Sequence, residues 1–248
     1  MGTFETTHMN QWFVGIKYRG EDIYDLSDLR ICKASKGFYW ADPFLAHHDG
    51  KDYLFMEEYD YKKGYLVVGE LDGLVLKRIR IILDEPQHIS FPSVNKIGEE
   101  WYMAPERCLA GELWIYKATK FPDEWTQVSL VAKGRFDDPI IKEVPGGVQV
   151  WATQDNTLVV FENMLSLQNE WRVIRREDKP FMRNAGNFIG DLRPTQDSVP
   201  VYGRAIKIMD GDKPTRSIEP TWYDGLTGTH TFNVSSKYVV TDGRIKLS

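Results

Sequence analysis

Trp40-Ala-Asp-Pro-Phe-Leu45, a turn at His48-Asp49-Gly50, then Tyr53-Leu-Phe-Met-Glu57 and Gly64-Tyr-Leu-Val-Val68 set the pattern by which the whole chain is read. Each stretch alternates or runs apolar for about five residues, as short strands do. A helix would instead need apolar residues at i, i+3, i+4 and i+7. The pattern returns. Apolar-flanked prolines recur at Pro43, Pro92, Pro139 and Pro194, at spacings of 49, 47 and 55 residues. Turns follow the second and third at Ile97-Gly98-Glu99 and Pro145-Gly146-Gly147, and then come Tyr102-Met-Ala-Pro-Glu106 and Val150-Trp-Ala-Thr153. Third strands are predicted at Gly111–Tyr116 and Asn156–Val160, and fourth strands at Leu76–Ile82, Trp125–Val131 and Trp171–Arg175. Four short strands per repeat, bounded by Gly, Asp, Asn or Pro, describe a β-propeller blade.

A repeat of roughly 48 residues fits about five times into 248. The expected fold is all-β: one five-bladed propeller domain over residues 1–248, without an internal linker. Four blades start near residues 40, 89, 136 and 191, and the tail holds less than a full unit. His230–Val234 and Lys237–Thr241 supply two or three of its strands. Gln11–Lys17 is expected to add the missing one and to close the ring by pairing the two termini, which removes an exposed edge.

The composition narrows the class further. With 31 Lys+Arg against 36 Asp+Glu the net charge is −5, and no basic run is present, so a nucleic-acid or anionic-membrane surface is not expected. A hydrophobic fraction of 42% beside 27% charged residues excludes a disordered chain. No apolar run reaches the ~18–20 residues of a membrane helix, so no membrane span is expected. Met1–Thr7 carries no basic or apolar leader, and two cysteines, Cys32 and Cys108, suit a reducing compartment; the expected location is cytoplasmic. No GxGxxG, P-loop, HExxH or CxxC occurs, so no cofactor or metal is expected.

First strands of propeller blades border the central axis. Asp42, Asp138 and Arg193, each preceding a repeated proline, are therefore expected at one pocket from three blades. Such acids also have architectural uses, because Asp before Pro is a common turn signal. Glu57 and Glu106 stand 49 residues apart and so occupy equivalent positions, with Glu58 on the opposite face. Carboxyls crowded around a narrow opening have their pKa values pushed apart, the condition for acid and base roles. Arg193 and Gln196 share the fourth inner strand, and Arg183, Arg107 and Arg204 lie nearby in sequence. A guanidinium there offers bidentate contact to phosphate or carboxylate, or pairs with the acids to hold adjacent blades. His88 and His230 precede inner strands and are candidate ligand contacts. Tyr39, Trp40, Phe91, Trp101 and Trp151 are candidate stacking platforms for sugar rings, whereas Trp125 and Trp171 recur 46 residues apart and read as packing. Asn233-Val-Ser235 matches a glycosylation acceptor.

The runs Trp40-Ala-Asp-Pro-Phe-Leu, His48-Asp-Gly-Lys-Asp-Tyr-Leu-Phe-Met-Glu-Glu-Tyr59 and Trp101-Tyr-Met-Ala-Pro-Glu106 resemble a propeller domain of bacterial polysaccharide-locus proteins. The same domain type precedes the catalytic domain of plant glucosamine inositolphosphorylceramide transferases. Phe121-Pro-Asp-Glu-Trp, Arg193-Pro-Thr-Gln-Asp and Gly228-Thr-His-Thr-Phe-Asn-Val extend the resemblance over residues 38 to 243. That domain is similar in turn to the five-bladed glycosidases, the arabinanases, xylosidases and invertases. The resemblance implies a base or nucleophile at Asp42 and a substrate-orienting, pKa-tuning acid at Asp138. It leaves the third glycosidase carboxylate, a Glu on a later blade, without a counterpart, because Arg193 stands there. Glu106 or Glu57 would have to serve from another blade.

Together these readings give a carbohydrate-active propeller that acts on a glycosidic or sugar-phosphate linkage in surface-polysaccharide or glycolipid metabolism. The alternative is a non-catalytic glycan-binding or scaffold module that serves a partner glycosyltransferase or another polysaccharide-locus enzyme. A propeller that binds only proteins has no specific sign in the sequence.

Overall fold

The computed structural model describes residues 10–164, 167, 170–178 and 183–246; the leader reading of Met1–Thr7 lies outside them. Among the described residues, twenty strands form five small sheets. In chain order, β1 (Asn10–Tyr18) and β2 (Arg30–Cys32) belong to the closing blade. The first blade is β3 (Tyr39–His48), β4 (Lys51–Tyr59), β5 (Gly64–Asp72) and β6 (Val75–Leu83). The second is β7 (Ser90–Ile97), β8 (Glu100–Glu106), β9 (Glu112–Lys120) and β10 (Glu124–Lys133). The third is β11 (Asp137–Val144), β12 (Gly147–Gln154), β13 (Thr157–Met164) and β14 (Arg172–Asp178). The fourth has three strands, β15 (Leu192–Asp197), β16 (Ala205–Asp210) and β17 (Lys213–Ile218). The closing blade adds β18 (Leu226–Gly228), β19 (Phe232–Val234) and β20 (Tyr238–Lys246). Among the described residues there is no α-helix, and none is long and apolar enough to cross a membrane.

The fold is a five-bladed β-propeller. Its ring closes as the sequence predicted: β1 pairs antiparallel with β20 from Asn10↔Lys246 to Tyr18↔Tyr238. β18 and β19 both pair with β20 on its other side, so the chain's beginning and end share one sheet.

Burial follows position in the blade. Residues 52–57 of β4 are buried without alternation, because a neighbouring blade covers each face of a middle strand. Outer strands are largely exposed and charged, as in Lys77, Arg78 and Arg80 of β6, which discourages edge-to-edge pairing. Apolar side chains fill the seams between blades. Phe44, Phe55, Phe91 and Met103 form one such cluster, Ile115, Ile141, Val150 and Phe161 a second, and Val14, Ile16, Met56 and Val240 a third. Trp125 and Trp171 pack against these clusters, in line with their structural reading. Cys32 and Cys108 are free thiols.

The repeated prolines mark β-bulges in the first three blades. The inner-strand register slips between Ala41 and Phe44, between Ser90 and Ser93, and between Asp137 and Ile140. The residue before each proline is thrown into the left-handed region: φ is 52° at Asp42, 49° at Phe91 and 45° at Asp138. Aspartate tolerates that conformation better than most residues, and a bulge re-aims the side chain it carries. In the fourth blade β15 runs against β16 in unbroken register from Leu192 to Asp197.

Candidate functional site

The bulges at Asp42 and Asp138 bring both carboxylates to an axial cavity of about 200 Å3. Its lining is mostly polar and charged: Trp12, Tyr39, Asp42, Glu57, His88, Ser90, Glu106, Asp138, Arg183, Tyr202 and His230, with Ala41. At ~30 Å3 of liquid per water, the space equals roughly seven waters, which suits one sugar ring. A larger groove, about 790 Å3, is lined by Ile97, Tyr102, Val128, Val144 and Val148 among others. All five of these are aliphatic or aromatic, whereas the axial cavity gathers the convergent polar groups that mark a ligand site.

Strand register explains the two glutamates. Glu57 pairs with Ala41, and Glu106 pairs with Ser90, so each stands opposite the small residue before a bulge. Their equivalence was legible from spacing alone. Asp42 is buried and held from three directions. Its Oδ1 accepts the Thr231 hydroxyl at 2.7 Å, its Oδ2 accepts the Phe91 N–H at 3.2 Å, and His230 Nε2 lies 3.7 Å from Oδ1. His230 in turn faces Asp242 Oδ2 through Nδ1 at 2.5 Å and stacks on Trp12 with centroids 4.0 Å apart. The fully buried Asp242 also accepts the His230 and Thr231 N–H groups, at 2.8 and 3.0 Å, and the Asp42 N–H at 3.2 Å.

A second network surrounds Asp138. Its Oδ2 accepts Arg183 Nε and the Gln196 amide at 2.7 Å, while its N–H donates to Glu106 Oε2 at 2.8 Å. Arg183 Nη2 also reaches Glu106 Oε2, at 3.2 Å, and its guanidinium covers the Tyr202 ring. Arg183 thereby bridges two carboxyls from different blades.

The electrostatics separate the acids. Burial pushes the Asp42 carboxyl up to about 6; His230 and the Thr231 hydroxyl oppose the rise, whereas Asp242 and Asp138 add to it. Burial raises Glu57 well above the usual carboxylate range, reinforced by Asp42, Asp242 and Asp138. Glu106 is also raised, by burial and then Asp138, with Arg183 pulling the other way. Burial alone would lower His230, but Asp242 and Asp42 outweigh it and raise it. His88 is lowered by burial. A neutral carboxylic acid and a more readily ionised carboxylate therefore face one space, the pairing that acid–base chemistry uses. Among the described residues, Asp42, His230 and Asp242 offer ligand atoms within 4.8 Å of one another. They already satisfy each other, so a cation would have to displace the His230–Asp242 contact.

Of the residues singled out from sequence, Asp42, Glu57, Glu106, Asp138, Arg183, His88 and His230 line the cavity, and Gln196 supports Asp138 from behind. The others stand elsewhere. Trp40 is buried in the seam with the closing blade and donates its Nε1–H to Glu58 at 2.9 Å, so Trp40 and Glu58 share the face away from the cavity. Strand alternation instead presents Tyr39 and Ala41. The Phe91 ring packs edge-on against Phe44 in the core, and only its N–H serves the site. Arg193 is 3% exposed, lies over the Trp151 ring and donates Nη1 to Asn184 Oδ1 at 3.0 Å. Without a bulge in β15, nothing re-aims it toward the axis. Trp101 and Trp151 are likewise packing residues, stacked on Phe121 and set edge-on to Phe188. Arg107 pairs with Glu85, and Arg204 with Asp197 and Glu219. Asn233 is buried and bonded to Pro43 O and the Asn187 N–H, which makes it a structural amide in this fold. Tyr39, a candidate platform beside Asp42, does line the cavity, whereas Trp12, Ser90, Tyr202 and Asp242 were missed.

The family described as glucosamine inositolphosphorylceramide transferase 1, N-terminal, matches residues 30–217. The transferase of that name from Oryza sativa subsp. japonica is 33% identical over 199 residues, covering 71% of this chain and 26% of that protein. Its Arabidopsis thaliana counterpart is 33% identical over 110 residues, covering 42% and 14%. The chain thus spans about a quarter of the rice relative. Among solved structures, the catalytic domain of Coprinopsis cinerea GH62 α-L-arabinofuranosidase superposes with a TM-score of 0.58 at 14% identity, over 78% of this chain and 76% of that one. A putative glycoside hydrolase from Bacteroides ovatus does so at 0.55 and 12% identity, over 91% and 95%. At such identities the likeness is one of fold.

Proposed function

The chain belongs to the family of the N-terminal domain of glucosamine inositolphosphorylceramide transferase 1, and from that premise we propose that its axial cavity binds one sugar residue and performs acid–base chemistry on the glycosidic linkage it carries. The setting is glycolipid or surface-polysaccharide metabolism, alongside a glycosyltransferase. The observation that carries this reading is the divergence of the buried acids. Asp42 is held by two hydrogen-bond donors beside His230 and titrates near 6, so it is the base. A neighbouring glutamate, held neutral by burial, is the acid. Asp138, fastened by Arg183 and Gln196, orients the ligand.

One observation favours a second reading. Arg183 ties Glu106 and Asp138 together, as expected if those acids only recognise hydroxyl groups. Thermal-shift titration with sugars and aryl glycosides, combined with turnover assays, tests both. Binding at 100 times Kd stabilises a fold by about 2.7 kcal/mol. The catalytic reading expects a ligand shift together with turnover that Asp42→Asn abolishes while binding survives. A ligand shift without turnover selects the binding module, and the absence of both overturns the sugar site.

A further inference from the structure

We propose that Glu57, positioned by His88, is the general acid of this cavity, and that its substrate is a neutral glycoside with an alkoxide leaving group rather than a sugar phosphate. This inference rests on the acid–base reading above and assigns the role that reading leaves open between two glutamates.

The two glutamates differ in what occupies their oxygens. Glu106 Oε2 is taken by the Asp138 N–H and by Arg183 Nη2. Glu57 lines the cavity, is 5% exposed, and its Oε1 is buried without a hydrogen-bond partner. His88 Nε2 lies 3.5 Å from that oxygen. The Gly64 N–H donates to His88 Nδ1 at 2.9 Å, which assigns the ring hydrogen to Nε2, the nitrogen facing Glu57. A donor beside Oε1 leaves the acidic proton on Oε2, the oxygen left for the cavity. The backbone at residue 64 is part of this device. A Cβ there would stand 2.7 Å from Glu57 Oε1, 2.8 Å from His88 Cε1 and 2.6 Å from Ile89 O, so only glycine lets β5 back both side chains. Asp42, on the adjoining strand, together with Asp138 and Asp242, supplies the negative charge around Glu57. These neighbours keep its proton in place.

The step balances without a co-reactant beyond water or an acceptor hydroxyl. Glu57 gives its proton to the glycosidic oxygen as the bond from that oxygen to the anomeric carbon breaks, and the aglycone leaves as an alcohol. Asp42 takes a proton from the incoming hydroxyl as the new C–O bond forms. Solvent then carries that proton back to Glu57. Protonation matters for an alkoxide, which leaves poorly, and is superfluous for a phosphate, which leaves as a stable anion. Charge agrees. Among the described residues lining the cavity, the one arginine already points at Asp138, Glu106 and, at 3.9 Å, Asp137.

The test uses phenyl and 2,4-dinitrophenyl glycosides of pentoses and hexoses, with the matching sugar 1-phosphates, on the full chain. The wild type is expected to turn over a phenyl glycoside. Glu57→Gln, a neutral isostere whose Tm is measured alongside, should lose ~10²–10⁴-fold on it. The same variant should keep activity on the dinitrophenyl compound, which needs no acid, and lose the alkaline limb of the pH profile. Glu106→Gln should retain that limb, and His88→Gln should move it without removing it. Equal loss on both leaving groups, or the selective loss appearing in Glu106→Gln, overturns Glu57 while the acid–base reading stands. Consumption of a sugar 1-phosphate but no glycoside overturns the leaving-group class. No turnover of any probe by the wild type fails the acid–base reading itself, and the assignment falls with it. Carboxyl ¹³C NMR gives a readout free of turnover: a resonance titrating well above the usual glutamate range, absent in Glu57→Gln, is expected, and a Glu57 resonance in the ordinary range overturns the assignment.

Discussion

Asp42 and Asp138 occupy the same bulge in two blades, yet their partners give them different work. Asp42 meets a hydroxyl, a main-chain N–H and a histidine, whereas Asp138 meets a guanidinium and an amide. The first is tuned in its ionisation, and the second is fastened in place. Arg193, at the corresponding place in the fourth blade, contributes to neither. It is sunk between blades against Trp151, where burial pushes its pKa down to about 10, helped by Arg175 and opposed by Glu177 and Asp212. Arg193→Lys keeps the charge but loses the planar fork. The expected outcome is a stability loss of about 1.5–3 kcal/mol, the range for hydrogen bonds to charged groups, with the cavity's thermal shift on sugar binding unchanged. Denaturant melts with and without sugar measure both. Unchanged stability together with lost ligand response would show that the guanidinium serves the ligand after all.

Among the elements, the inner strands and the clasp matter most. A bulge in β3 and another in β11 turn a continuous ladder into a device that swings one side chain per blade toward the axis. The regular β15 has no such device. The clasp holds these inner strands in a ring, since β1 contributes nine residues to β20 and also carries Trp12, the ring stacked on His230. Removing residues 1–20 takes away the whole of β1. It exposes one long edge of β20 and uncovers the seam around Met56 and Val240. The truncated chain is expected to associate and to lose its cooperative melt, as an unpaired edge does. Light scattering and calorimetry check this, and a monomer with the parent Tm would mean that β1 is dispensable.

At the scale of the whole molecule, buried acids make stability depend on pH in an unusual direction. Asp42, Glu57 and Glu106 titrate above their unfolded values in the fold, chiefly through burial. His230 is raised too, as its two aspartates overcome burial. For raised groups the stabilisation is complete below the unfolded pKa and is lost as pH climbs through the folded one. Asp52 and Asp197 have the opposite sign. Burial would raise them, but Lys237 and His47, or Arg204 and Lys207, pull them down, so their contribution fades only as pH falls below the usual carboxylate range. His88, lowered by burial, also opposes the raised cavity groups, one against those three acids and His230. Tm should therefore peak between about pH 4 and 6 and fall by several degrees toward pH 8, about 1 kcal/mol being worth ~2–4 °C in a chain of this size. Asp42→Asn combined with Glu57→Gln should flatten the slope, and a Tm that climbs steadily to pH 8 would contradict the assignment.

How much of this was readable beforehand depended on range along the chain. Proline spacing, strand period and turn residues are local, and they were enough for five blades, for ring closure and for the equivalence of Glu57 with Glu106. Each needs only a period of two within a strand or one repeat between blades. The way side chains face was not readable beside a bulge, because one extra residue reverses the alternation. Tyr39 therefore reached the cavity and Trp40 did not. Nor was it readable that the fourth proline sits in an unbulged strand, which sends Arg193 into a seam. Asp242 and Asp42 meet across 200 residues, and Trp12 reaches His230 only after the ring has closed. Residue types and repeat length determined the blades, while the partners that set each proton were decided by closure, which alone brings such distant side chains into one desolvated space.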